Sequence, residues 1–344
     1  MLKLKKSKIP LFVAAMVTSC TTLAFENPQS EKPNHSEMAE LASSFLTTAI
    51  TSVADKLIAV GDRGHVFVNS AQVWQQVTVP STALLTNVSF ADKNHGWAVG
   101  HDATILHTSD GGSRWELQQV LPELDRPLLG VAFSDANTGV AVGAYGMYFS
   151  TRDGGQTWTN QFLDSLLPKE DVEYLAEIRA ESEEEYQFEI SSILPHFNSI
   201  VYLSDGRLLL VGELGLVAFS SDGGKSWQRQ ADIYEGSFFT SLESDKGSLL
   251  VAGLRGNMFR STDAGASWQQ VVLNNKLNIN HLIQLKNGDI YASQNNGVVL
   301  KSSDDGVSFS QVLLSKGQDM MSVAQINQQI WLAGSKGLSK FQAK

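Results

Sequence analysis

The chain has 344 residues and an ordinary globular composition, 42% hydrophobic and 18% charged, so it can bury a large core and does not read as disordered. No apolar run reaches the roughly 18–20 residues that span a bilayer. The formal charge of −10 speaks against nucleic acid, whose affinity is built from Lys and Arg contacts to phosphate, and against broad attraction to anionic lipid heads.

The first residues read as an export signal, residues 1–24. Lys3, Lys5, Lys6 and Lys8 form a basic start, and Ile9 to Val17 is an apolar stretch too short to span a membrane. Two cleavage readings stand side by side. Thr22, Leu23 and Ala24 suit an ordinary signal peptidase, whereas Val17, Thr18, Ser19 and Cys20 resemble a lipoprotein box with Cys20 as the lipidated residue. Cys20 is the single cysteine, so the exported domain is expected to have no disulfide, no thiolate metal site and no cysteine nucleophile. Loss of the four signal lysines takes the formal charge from −10 to about −14, which favours solubility and a partner with a basic surface. Residues 25–37, with two prolines among mostly polar neighbours, read as a linker. The domain proper is expected over 38–344, and the location as periplasmic or outer-membrane-anchored.

From there the chain repeats. Val-Gly, a two-residue tip and a small residue recur at Val60–Gly64, Val99–Ala103, Val142–Gly146 and Val211–Gly215, and in looser form at Ala252–Gly256, Ser293–Gly297 and Ala333–Gly337. The intervals are 39, 43, 69, 41, 41 and 40 residues. A period near 40 with short strands means propeller blades, and the 69 is one period plus an insertion. Fifteen residues after the first Gly stands an aromatic: Trp115, Trp158, Trp227, Trp268 and Phe309, with Trp74 two residues early in the first copy. Ahead of the five full-length copies lies a turn centred on Asp110, Asp153, Asp222, Asp263 or Asp304. This is the Asp-box pattern, Ser/Thr-x-Asp-x-Gly-x-Ser/Thr-Trp. The carboxylate can accept backbone N–H groups while glycine supplies the positive φ, and the ring packs between adjacent sheets. The expectation is an all-β, seven-bladed propeller, with these Asp and aromatic residues structural. The last unit, 321–341, ends after its third strand, and a segment between Met38 and Ala49 is expected to supply the missing strand. Closure removes exposed sheet edges, and the expected state is a monomer.

The string Trp97, Ala98, Val99, Gly100 followed by Thr108, Ser109, Asp110, Gly111, Gly112, Ser113, Arg114 and Trp115, with its later copies, resembles the photosystem II stability/assembly factor family of BNR-repeat propellers. The resemblance covers about residues 45–344. It implies a non-catalytic assembly or scaffold role for a membrane complex, without cofactor. Photosynthetic members of that family use a basic patch, whereas this chain is acidic and its arginines are scattered. The expectation is therefore a bacterial relative outside photosynthesis, whose partner is an envelope or membrane-transport protein.

Asp boxes also occur in sialidases, so a glycosidase or glycan-binding propeller is the alternative. It requires three arginines around a substrate carboxylate, and Arg63, Arg126 and Arg255 are the candidates. Tyr145 and Glu213 are the only loop residues resembling the required Tyr/Glu pair.

In a propeller, the loops joining second to third strands share one face with the inter-blade linkers, and the Asp boxes lie on the other. The variable tips thus form a candidate partner-binding rim: Asp62 and Arg63, His101 and Asp102, Ala144 and Tyr145, Glu213 and Leu214, Leu254 and Arg255, Asn295 and Asn296, Ser335 and Lys336. His101 and Asp102 with Asp62 lack metal-ligand spacing, and no metal is expected. His196 and His281 are expected to begin first strands near the channel mouth as structural histidines. The insertion, about 162–194, reads as an acidic helical arm. Pro168 lies at its start, Val172, Leu175 and Ile178 form an apolar stripe, and Glu173, Glu177, Glu181 and Glu184 supply charge for a basic partner.

Overall fold

The computed structural model describes residues 34–70 and 73–341. The signal peptide, Cys20 and most of the linker lie outside the described residues. Six four-stranded antiparallel sheets and one three-stranded sheet follow one another, each with strands in sequence order from inner to outer. They make blades one (47–77), two (85–119), three (128–160), four (197–229), five (238–270), six (279–314) and seven (320–340).

The second strands explain why the sheets stack radially. Gly96–Gly100, Gly139–Gly143, Leu208–Gly212, Leu249–Gly253 and Ile290–Gln294 are buried at every position. A sheet covered on both faces needs a continuous apolar strand rather than alternation. The core is accordingly split into seven clusters, one at each blade-to-blade contact. Val60, Leu85, Leu106 and Trp115 join blades one and two, and Ile50, Leu57, Ala324 and Trp331 join blade seven to blade one. At that last contact Trp74 meets Trp331 edge-on at 5.2 Å. The other interfaces use the expected aromatics: Trp115 against Phe90, Trp158 against Phe133 and Trp227 against Tyr148, each near 6 Å and near perpendicular. Trp268 and Phe309 pack at the next two contacts. The seventh wedge, between blades six and seven, is Phe341 against Tyr291 at 6.1 Å, a residue with no Asp box before it to mark it in the sequence.

The Asp boxes are built as their chemistry requires. Asp110 Oδ1 accepts the N–H groups of Ser113 (2.9 Å) and Arg114 (2.8 Å) and the Thr108 hydroxyl (3.0 Å). Trp115 and Trp227 turn their indole N–H groups onto the carbonyls of Gly112 and Gly224 at 3.1 and 3.2 Å. Hydrogen bonds from the Thr157 hydroxyl and N–H hold Asp153 down to about 2, and those from Ser267 do the same for Asp263. These are the signatures of carboxylates spent on turns rather than kept for chemistry.

Ring closure differs from the expectation. Blade seven keeps three strands, and residues 38–46 do not add a fourth. They replace a linker instead. In blades one, four and six the second glycine of the repeat lies under a carbonyl of the following linker, so that a Cβ on Gly64, Gly215 or Gly297 would overlap Ser81 O, Tyr234 O or Ser315 O. At Gly337 the same place is taken by Ser43 O, from the short 3-10 turn Ala42–Ser44. The start of the domain thus does for blade seven what an inter-blade linker does elsewhere. Its chain is fixed by Ser36, whose N–H donates to Val79 O at 2.9 Å and whose hydroxyl accepts the Val79 N–H at 2.9 Å. The ring closes by packing and by side-chain hydrogen bonds between blades one and seven, among them Ser52 Oγ to Gln325 O at 2.6 Å and the Ile50 N–H to Ser322 Oγ at 3.3 Å.

Candidate functional site

The central channel is bordered by the seven first strands. Each carries a bulge at its second residue, Thr48, Thr86, Leu129, Asn198, Phe239, Asn280 and Met321, where the register with the second strand shifts. Four of these reach across to the next blade. Thr48 donates to Leu85 O (2.6 Å), Thr86 to Leu128 O (2.5 Å), Asn198 to Phe238 O (2.8 Å) and Asn280 to Met320 O (2.8 Å). Sequence reasoning missed this belt, although Thr or Asn recurring at one repeat position was its visible trace.

The channel cavity is about 600 Å³ and is lined, among the described residues, by Ser, Thr, Asn and apolar residues with His281 and Tyr202, without a carboxylate, lysine or arginine. His281 sits inside the first strand of blade six, Ile279–Gln284, deeper than the mouth, and its Nδ1 accepts the Val323 N–H of blade seven at 3.4 Å. Desolvation by the channel walls lowers its pKa to about 4. The neutral ring is the form that accepts that bond, so His281 is a structural tie. Its unfolded pKa is higher, near 6.5, so unfolded chains bind its proton first as the pH falls. Stability from this group is complete above pH 6.5 and is lost between 6.5 and about 4. The loss is expected to reach at most about 3 kcal/mol, and His281→Gln should remove it. Urea midpoints at pH 7 and pH 4.5 for both proteins check this. An equal drop in the variant would reject it.

The rim tips join the second and third strands of their blades. Six of the seven tips share one backbone, in which the second residue of each pair takes left-handed φ: Arg63 (51°), Asp102 (55°), Tyr145 (53°), Leu214 (52°), Arg255 (56°) and Asn296 (57°). Five of these six side chains are exposed and Asp102 is half-buried. The first glycine, Gly61 or its equivalents, lies so close to the chain entering its own blade that a Cβ would overlap Leu46 O. Lys336 is the exception. Blade seven closes as a tight hairpin with Gly334 paired to Gly337, and the positive φ falls on Gly337 alone.

Blades three and four form a more connected corner. The Arg126 guanidinium lies 4.7 Å over the Tyr145 ring and donates to Ser191 O at the end of the arm. The His196 ring meets Tyr145 edge-on at 4.5 Å. His196 Nδ1 stands 3.2 Å from the Tyr145 N–H and 3.3 Å from Glu213 Oε2. Of the three arginines a sialidase-like site needs, only Arg126 meets Tyr145. Arg63 pairs with Asp62 at 3.6 Å on blade one, and Arg255 belongs to blade five. Among the described residues no group of three His, Cys, Asp or Glu side chains is placed to hold a metal, so Asp62, His101 and Asp102 do not assemble one.

The insertion is two helices rather than one. Helix α1 (Lys169–Glu181) follows Pro168, and helix α2 (Glu183–Ile190) starts at Ser182, whose hydroxyl caps the Glu185 N–H at 3.2 Å. Of the expected stripe only Leu175 is buried, Ile178 is half-buried and Val172 is exposed. The arm is secured chiefly at its roots, where Leu163, Leu166 and Leu194 join the cluster between blades three and four. Glu173, Glu177, Glu181 and Glu184 all face solvent.

Residues 66–171 and 175–313 match the model of the photosynthesis system II assembly factor YCF48 family. Photosystem II assembly protein Ycf48 of Thermosynechococcus vestitus is 46% identical over 43 residues, 12% of this chain and 12% of that protein. The Synechocystis protein, named as a photosystem II assembly lipoprotein, is 38% identical over 48 residues, 14% of each. These pairwise matches thus span only a small part of the relatives' length, and the relatives are named as assembly factors. A solved structure of YCF48 bound to D1 peptide superposes with a TM-score of 0.65 at 17% identity, over 91% of this chain and 98% of that one. The extracellular domain of a putative one component system from B. thetaiotaomicron superposes at 0.63 and 14% identity, over 90% of this chain and 40% of that one. At such identities the likeness concerns the fold. With the family model matching most of its length, the chain belongs to the photosynthesis system II assembly factor YCF48 family.

Proposed function

We propose that this protein is an exported, non-catalytic assembly factor that holds a segment of an envelope membrane protein on its rim. Seven blades share one core solution and six of them one tip backbone, yet the tips carry different chemistry. This contrast between a constant frame and variable exposed tips carries the reading, since solvated tips free of selection have no reason to hold Tyr, Leu and Arg in a backbone that Gly or Asn adopts at less cost. A YCF48 structure with a D1 peptide and relatives named lipoproteins support a peptide-like ligand and anchoring through Cys20. The partner here is an envelope or transport component rather than a photosystem, because the mature charge is near −14.

Photo-crosslinking residues placed singly at Arg63, Tyr145, Leu214, Arg255 and Asn296 in membranes test this. Adducts to a discrete membrane protein are expected from the rim and not from Arg114 or Lys225 on the Asp-box face. Equal labelling of both faces would overturn the proposal. Processing blocked by globomycin and abolished by Cys20→Ala tests the anchor.

A further inference from the structure

The geometry points to the corner of blades three and four, including the arm, as a docking surface for a cationic amphipathic segment of the partner. This rests on the assembly-factor reading and names where on the rim, and by what chemistry, the partner is held.

The repeat supplies its own controls. At the equivalent left-handed tip position, blades one, two, five and six carry Arg63, Asp102, Arg255 and Asn296, whereas blades three and four carry Tyr145 and Leu214. A large apolar residue in that conformation is strained, because its Cβ crowds the following carbonyl. The fold does not demand it, as Asn296 shows at the same place in blade six. Burial does not repay it either, because Tyr145 is 44% and Leu214 66% exposed. Tyr145 already packs against both Arg126 and His196, so it loses less freedom on contact than a free side chain, which suits an anchor. Phe188, 73% exposed, lies three residues before Ser191, whose carbonyl Arg126 holds beside the same tyrosine. Three large apolar groups are thus offered to solvent where the arm returns to the rim.

Charge selects the occupant. Residues 169–190 carry nine Asp and Glu against Lys169 and Arg179, and both cations are already paired, Lys169 with Glu173 and Arg179 with Glu183, at 3.2 Å each. The arm's formal −7 is half of the mature −14. An apolar patch beside such a field fits a segment that presents large apolar side chains among Lys or Arg, and it repels an acidic one.

The test uses the full chain and a fluorescein-labelled peptide of Leu and Lys in an amphipathic pattern, with a Leu and Glu peptide as control, read by anisotropy. The Lys peptide is expected to bind in the micromolar range and the Glu peptide not to bind. Tyr145→Asn and Leu214→Asn keep a residue that suits left-handed φ, and each should weaken binding about fivefold or more with unchanged melting. The quadruple variant E173Q/E177Q/E181Q/E184Q should weaken it about tenfold and flatten its salt dependence. Lys225→Gln on the Asp-box face, at an exposed position, should leave affinity within about twofold. Equal binding of both peptides, or indifference to both Asn variants, overturns the inference. Membrane crosslinks from Arg63 and Asn296 but none from Tyr145 or Leu214 also overturn it while leaving the assembly-factor reading standing. Absence of crosslinks from every rim position sinks both.

Discussion

Replacing Trp227 with alanine is expected to lower the unfolding free energy by about 3–5 kcal/mol. The indole is buried between blades three and four, edge-on to Tyr148 at 5.9 Å and within a cluster that includes Leu208, Leu210 and Leu216. Its N–H also ties the Asp-box turn through Gly224 O. Alanine leaves a void flanked by two sheets that cannot move together, because each is fixed by its other neighbour, so the cavity term is close to its full size. Differential scanning calorimetry and urea unfolding at neutral pH would measure the loss. Val272→Ala, at a residue 83% exposed, serves as the control and should stay within about 0.5 kcal/mol. A Trp227 variant as stable as that control would mean the ring does not depend on its wedges.

The second large effect is expected at Asp305, where one Asp box departs from the others. The boxes of blades two to five place Gly111, Gly154, Gly223 or Ala264 at this position, whereas that of blade six places Asp305 there at φ 64°. The carboxylate is buried and accepts Arg260 Nη2 of blade five and the Ser248 hydroxyl, both at 2.6 Å, while its backbone carbonyl accepts Arg260 Nε at 2.7 Å. Asp305→Ala would leave the Arg260 guanidinium, itself mostly covered, without its counter-charge, and about 3 kcal/mol of stability should go. Asp305→Gly should lose about 1 kcal/mol less, since glycine releases the left-handed strain. Adding Arg260→Met to Asp305→Gly should recover most of the deficit, because the cost of the broken pair is the stranded charge rather than the missing contact. Urea midpoints of the three variants decide it. A double variant less stable than Asp305→Gly alone would show that the pair is worth more than its desolvation.

The residues conveyed the fold with little ambiguity, and they did so through repetition. Trp115, Trp158, Trp227, Trp268 and Phe309 recur at one offset from the Val-Gly step because each sheet presents the same problem, a gap widening away from the axis that one ring fills. The Asp boxes are legible for a related reason: their hydrogen bonds join residues two to four apart, so the motif and the structure are the same local object. The ring's last contact was not legible. Phe341 has no box before it, and Ser43 O over Gly337 joins residues from opposite ends of the domain through a backbone carbonyl, which leaves no side-chain signature. The break in the arm at Ser182 was available as a cap followed three residues later by Glu185, but a run of acids masks it.

The rim divides along the same line. That Arg63, Tyr145, Leu214, Arg255 and Asn296 share one face was readable from strand alternation in a propeller, since the number of strands between two loops fixes the side on which they emerge. That Tyr145 packs against Arg126 and His196, that His281 is a neutral tie inside the channel, and that the inner bulges are stitched by Thr48, Thr86, Asn198 and Asn280 depends on distances between neighbouring blades. By itself the sequence determined the number of blades, six of the seven wedges and the turns, because these follow from interactions repeated within about forty residues. Only the tertiary structure decided how the ring closes and which tips pack against neighbours and which apolar groups remain in water, because these depend on contacts between chain segments whose separation carries no periodicity.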